Sequence, residues 1–234
     1  WPVSSEQTSL NIGDIDYSPL FKLGYGLNYS STINIEQLDE KIDRKDNSLI
    51  GLTLLEGWPQ EPFTVVLRAS SDNIILDSKS VTTPLNEVTV SIIDHLVQED
   101  TQKIIFHGDT ESSWNLLSSK KMDWSQAAKE SGVLVVNIKS LQNDINETLY
   151  LGSSCGDQCK AILPLGQLLD GLKIGEWNSI GIDLNCFEKN GLNLSEVQKP
   201  LFFSSQGRWS FEVGRVYIDA GTGGKEMLFC PHIE

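Results

Sequence analysis

From Pro62 to the C-terminus, short runs of Val, Ile and Phe recur, each bounded by Gly, Pro, Asn, Asp or Ser. They fall at residues 63–67, 74–76, 88–93, 103–107, 133–138, 148–151, 179–184, 201–204 and 209–218. Runs this short, separated by turn formers, suit strands and leave no room for long helices. Helical spacing holds only over 125–129 and 165–172. The expectation is an all-β chain folded as a sandwich or barrel. The last run adds a local detail. Trp209, Phe211 and Val213 alternate with Ser210 and Glu212, and after Gly214 the apolar phase shifts to Val216 and Ile218. Strand faces repeat every two residues, so a phase shift at a glycine predicts a β-bulge there.

Upstream the texture differs. Residues 1–30 are rich in Gly, Ser, Asn and Tyr, and residues 34–47 are strongly charged without a strand pattern. We read 1–30 as a separate segment, 31–60 as a linker and 61–234 as the β domain. The 234 residues carry a net charge of -14. That field repels nucleic acid and anionic membrane and favours neutral or cationic partners. No stretch approaches the roughly 20 apolar residues of a membrane span. The chain opens at Trp1-Pro2-Val3 with no visible leader, as expected of a processed protein or a fragment.

Cys155 and Cys159 lie close together, which suggests a local disulfide and leaves Cys186 for Cys230. The rival is a Cys-rich zinc site with His232. Disulfides imply a secreted or periplasmic home. Sequons at Asn28, Asn146 and Asn193 are weak signals on their own. No catalytic constellation stands out. His95, His107 and His232 occupy no metalloprotease or triad-like context, and Gly221-Thr222-Gly223-Gly224 reads as a turn rather than a phosphate loop.

Residues Pro19-Leu20-Phe21-Lys22-Leu23-Gly24-Tyr25-Gly26-Leu27-Asn28-Tyr29 resemble the motif that closes the second catalytic domain of glycoside hydrolase family 3, with Lys22-Leu23 replacing the usual Pro-Phe. Gly108 to Trp114, Leu149 to Cys159, Glu176-Trp177 and Leu184 to Phe187 are similar to the extra C-terminal domain of family 3 exo-1,3/1,4-β-glucanases. The resemblance implies a galactose-binding-like jelly-roll sandwich, akin to a carbohydrate-binding module, preceded by the tail of an α/β catalytic domain. It implies a parent that removes terminal β-1,3/β-1,4-glucosyl residues. Met122-Asp123-Trp124 superficially resembles the family's nucleophile motif, but it lies far downstream and lacks the preceding Ser. No residue here is expected to be catalytic.

Three roles follow from the resemblance: a module docked on the catalytic domains of its own polypeptide that shapes the glucan cleft, an autonomous binder of β-glucan, or a structural or dimerisation module. Sugar binding needs flat rings to stack on pyranoses and polar groups to meet hydroxyls. Trp114 and Trp124 lie among polar residues, Trp58 sits in a Gly/Pro-rich stretch, and Arg208 flanks the last strand. These four are the sugar-binding candidates, whereas Trp177 and Trp209 are expected in the core. Jelly rolls of this kind often hold a structural Ca²⁺, for which Asp109, Glu111 and Asp219 are the candidate ligands.

Overall fold

A computed structural model describes residues 11–12, 15–16, 49–69, 73–85, 87–95, 99–108, 110–141, 149–156, 158–165, 169, 172–220, 227–228 and 230. Two compact units divide the chain, Trp1–Asn47 and Ser48–Glu234. In the first, β1 (Asn11–Ile12) and β2 (Ile15–Asp16) form an antiparallel pair. The Pro19 to Tyr29 motif lies outside the described residues.

The second unit begins with β3 (Thr53–Glu56), β4 (Trp58–Pro59), β5 (Phe63–Arg68), β6 (Asn73–Ile75), β7 (Ser80–Thr82), β8 (Val88–Ile93), β9 (Thr101–His107) and β10 (Ser112–Ser118). Helix α1 (Ser125–Lys129) follows, then β11 (Val133–Ser140), β12 (Tyr150–Gly156), β13 (Cys159–Pro164) and β14 (Trp177–Asp183). Helix α2 (Leu184–Lys189), a 3₁₀ turn at Leu194–Glu196, β15 (Lys199–Ser205), β16 (Arg208–Asp219) and β17 (Met227–Leu228) complete it. Two sheets result. The smaller has the order β13-β12-β15-β10-β5-β6, and the larger β17-β14-β11-β16-β9-β8-β7, with β3 also paired to β16. Among the described residues, the pairings are antiparallel except that of β14 with β17.

Alternation explains the packing. In β5, Phe63, Val65 and Leu67 are buried, Val66 is half-buried, and Thr64 and Arg68 face solvent. In β8, Val88, Val90 and Ile92 point inward and the residues between them are half-buried. The inner faces of both sheets share one hydrophobic core. Phe203 of the smaller sheet meets Phe211 of the larger edge to face, with ring centroids 5.1 Å apart. This is an all-β, two-sheet sandwich, one of the two architectures the strand pattern predicts and the one the resemblance implies.

The phase shift at Gly214 is a β-bulge. Val136 pairs with Val216 and Ile138 with Val213, so the register slips across Gly214. Both Val213 and Val216 are thereby buried.

Two expectations need correction. The sandwich starts before residue 61: Leu54 and Leu55 of β3 are fully buried and β3 pairs with β16, so part of the expected linker belongs to the domain. β7, β10 and β13 were not expected as strands, because Ser, Thr, Cys and Asn interrupt their apolar pattern. The 165–172 helix lies largely outside the described residues. The cysteines are bonded as Cys155–Cys159 and Cys186–Cys230, which removes the zinc alternative. His232 lies outside the described residues, as do Asn28, Asn146 and Gly221 to Gly224.

Candidate carbohydrate-binding face

Pairing across the larger sheet sets Trp177 of β14 opposite Lys139 of β11, and Lys139 opposite Glu212 of β16. One step along, Ser179 faces Asn137 and donates to its Oδ1 at 2.8 Å. These residues lie on the sheet's outer face, because Leu134, Val136, Ile138, Ile180 and Ile182 take the core positions. The bulge leaves room for Trp177. A Cβ added at Gly214 would stand 3.4 Å from the indole Cζ3, so the benzo ring lies over a residue without a side chain. Lys139 holds its Nζ 5.3 Å from the Trp177 ring centroid and also pairs with Glu212. Cation and carboxylate are both largely covered there, so they satisfy each other.

The connection between β8 and β9 supplies the opposite wall. The His95 ring lies 4.7 Å from Trp177, centroid to centroid, tilted by 36°. The loop is fastened internally. Asp100 Oδ1 accepts from the His95 backbone N–H, and Asp94 Oδ1 accepts from that of Glu99, both at 2.7 Å. Glu99 then accepts from Trp58 Nε1 at 3.1 Å and pairs with Lys79. The Glu99 carboxylate raises the pKa of the Lys79 ammonium above its ordinary value. Against this loop runs Gly57, with φ +65°. A Cβ there would stand 1.8 Å from the Glu99 carbonyl oxygen. We expect Gly57→Ala to cost at least about 2 kcal/mol, from the left-handed backbone and the displaced loop. Denaturant unfolding of the variant measures it, and a change under 0.5 kcal/mol (roughly the scatter of a surface substitution) would refute the close approach.

Between these walls lies a hollow of about 390 Å³, lined by Glu56, His95, Asp100, Thr101, Asn137, Trp177, Asn178, Ser179, Gly214 and Arg215. The volume suits a small ligand. Two rings, hydroxyls, amides, carboxylates and a guanidinium converge there, the chemistry that sugar recognition requires.

The residues expected to bind sugar are placed otherwise. Trp114 and Trp124 are fully buried in the core and cannot stack on a ligand from solvent. Their polar neighbours in sequence point outward while the rings point in, as strand alternation in β10 dictates for Trp114. Trp209 is in the core, as expected. Trp177 is half-buried and lines the hollow, contrary to expectation. Its place between Glu176 and Asn178 marked an exposed strand start. Trp58 braces the loop through Glu99 rather than lining the hollow. Arg208 begins β16, where its Nε donates to the His107 carbonyl at 3.1 Å.

Two of the proposed calcium ligands, Glu111 and Asp219, stand far apart. Arg208 pairs with His107, so Glu111, which follows β9, sits near the start of β16. Asp219 ends the same 12-residue strand, on the order of 35 Å away at about 3.3 Å per residue. Asp219 Oδ1 accepts from the Ala220 N–H. Asp109 lies outside the described residues. No group of three or more metal-ligating side chains occurs among the described residues.

The two antiparallel sheets packed face to face define a galactose-binding-like module. The chain belongs to the Exop_C family, described as galactose-binding domain-like, whose model matches residues 61–218. Among solved structures it is similar to the extra C-terminal domain of exo-1,3/1,4-β-glucanase (ExoP) from a Pseudoalteromonas species. The TM-score is 0.65 at 12% identity, over 77% of this chain and 99% of that one. The ExoP exo-1,3/1,4-β-glucanase structure from the same organism matches with TM-score 0.60 at 14% identity, over 75% of this chain but only 21% of its own length. No curated protein sequence matches the chain.

Proposed function

We propose that the chain is the non-catalytic C-terminal module of a secreted, exo-acting β-glucan hydrolase of glycoside hydrolase family 3, and that it meets glucan through the hollow around Trp177. Family membership and the similarity to an exo-glucanase's extra domain support the accessory role. Two disulfides support an oxidising, extracytoplasmic setting. The observation that carries sugar contact is the pairing of Trp177 with His95 over Asn137, Ser179, Glu56 and Arg215. An aromatic wall offers a pyranose its apolar face, and the polar set meets its hydroxyls.

Calorimetry of the chain with laminarin and mixed-linkage glucan tests this. Binding is expected for the wild type, with Trp177→Ala at least about 10-fold weaker, since losing one stacked ring costs roughly 1.4 kcal/mol or more. No binding at millimolar sugar, or equal binding by Trp177→Ala, would reject sugar contact. In that case the same face serves to dock on the catalytic domains and shape their cleft. Deleting the module from the parent should then change its affinity for long oligosaccharides more than for aryl glucosides.

A further inference from the structure

The smaller sheet carries a second hollow on its own outer face, of about 480 Å³. It lies on the other side of the sandwich from Trp177. Its floor is built by register. Phe202, Asn115, Val66 and Ile75 stand in one row across β15, β10, β5 and β6. Val66, Leu117 and Ile75 make it apolar. Gly152 continues the row, and a Cβ there would come within 2.4 Å of the Phe202 ring. Phe202 therefore lies across β12, with Lys199 Nζ 5.4 Å above its centroid.

Three features point to a ligand. First, the Asn115 side chain is buried in the floor, and its amide nitrogen donates to the Val66 carbonyl at 3.1 Å and to Ser113 Oγ at 2.9 Å. Those acceptors fix which end is nitrogen. The carboxamide oxygen has no protein partner among the described residues, yet it is not sealed from solvent. It opens on the hollow as a fixed acceptor for a hydroxyl. Second, the lining residues include two cations, Arg68 and Lys199, and no carboxylate, in a chain of 32 acidic and 18 basic residues. Third, Arg68 makes no ion pair among the described residues. Its Nε donates to the neutral Asn73 Oδ1 at 3.1 Å, which orients the guanidinium without neutralising it.

We propose that this hollow is a second binding site, for a short oligosaccharide carrying a carboxylate or sulfate. Arg68 meets the anionic group, Asn115 Oδ1 accepts from a hydroxyl, and Lys199 stands at the far end. Two strand spacings across and about five residues along put the two cations roughly 20 Å apart, an oligosaccharide's reach. The net charge of -14 repels long, dense polyanions, so the site suits a sparsely charged chain.

The test titrates the full chain, as Trp177→Ala, with laminarin oligosaccharides in three forms: neutral, oxidised at C6 to carboxylates, and lightly sulfated. At least one charged form is expected to bind at least about 10-fold more tightly than the neutral form, with affinity falling as salt rises. Arg68→Gln is expected to remove that advantage without lowering Tm, and Arg68→Lys to restore part of it. Binding of only one charged form identifies the group recognised, and binding of both shows that charge alone is read. Equal affinity for charged and neutral forms, no binding of either charged form, or an advantage that survives Arg68→Gln would overturn the proposal. Because Trp177 is absent throughout, failure here and failure of the Trp177 site are separate results.

Discussion

Trp114→Ala is expected to destabilise the domain by about 3–5 kcal/mol. The ring is fully buried between the sheets, 5.4 Å from Phe203. Its Nε1 donates to Gln102 Oε1 at 2.8 Å, and Gln102 Nε2 donates to the Gly57 carbonyl at 2.6 Å. One buried amide thus links the smaller sheet, the larger sheet and the β3–β4 turn. Truncation removes the ring's apolar burial and strands Gln102 Oε1 in the core, and the two losses act together. Trp114→Phe separates them. It keeps most of the volume and loses the hydrogen bond, so a smaller cost of about 1–3 kcal/mol is expected. Urea unfolding of both variants measures this. A cost below about 1 kcal/mol for the alanine variant, the average for any point change, would refute the structural role.

Removing the Cys186–Cys230 disulfide should have a comparable effect. Its residues are 44 apart, and closing a loop of that length restricts the unfolded chain by about 4 kcal/mol. Cys155–Cys159 spans only 4 residues, for which the same relation gives about 2 kcal/mol. Comparing Cys186→Ser with Cys230→Ser against Cys155→Ser with Cys159→Ser, by denaturant midpoint, should therefore rank the long bridge first. The long bridge also ties the C-terminal segment beside β14, where β17 pairs in parallel. Its loss should expose the edge of β14 and raise the tendency to associate. Equal midpoints for the two pairs would refute the loop-length account.

The strands were legible where β-branched and aromatic residues alternate undisturbed. Val88–Ile93 matches residue for residue, and the Gly214 bulge was visible as a change of phase. β10 was not legible, because Ser113 and Asn115 face outward and dilute its inward Trp114 and Leu116. The same dilution misplaced the sugar-binding candidates. Polar neighbours in sequence made Trp114 and Trp124 look exposed, but a strand sends neighbours to opposite faces, and Trp124 packs against Phe187 of α2. Trp177 sits where pairing brings it beside His95, far away in the chain, and no local pattern reports that contact. Of the calcium candidates, Glu111 lies in the turn after β9, whereas antiparallel pairing carries Asp219, at the end of β16, to the far end of the sheet.

The extra residue at the bulge acts as a phase shifter for the whole end of β16. Before it, Trp209, Phe211 and Val213 face the core; after it, Val216 and Ile218 do, while Arg215 and Tyr217 turn outward. Deleting Gly214 alone would set Val213 and Val216 two positions apart, the regular strand period, so Val216 and Ile218 would keep to the core face and Arg215 and Tyr217 to the outer one. The bulge would vanish, and with it the seat beneath Trp177, whose ring lies against Gly214. A one-residue deletion here would therefore straighten the strand and spare the core while unseating the ring that walls the hollow.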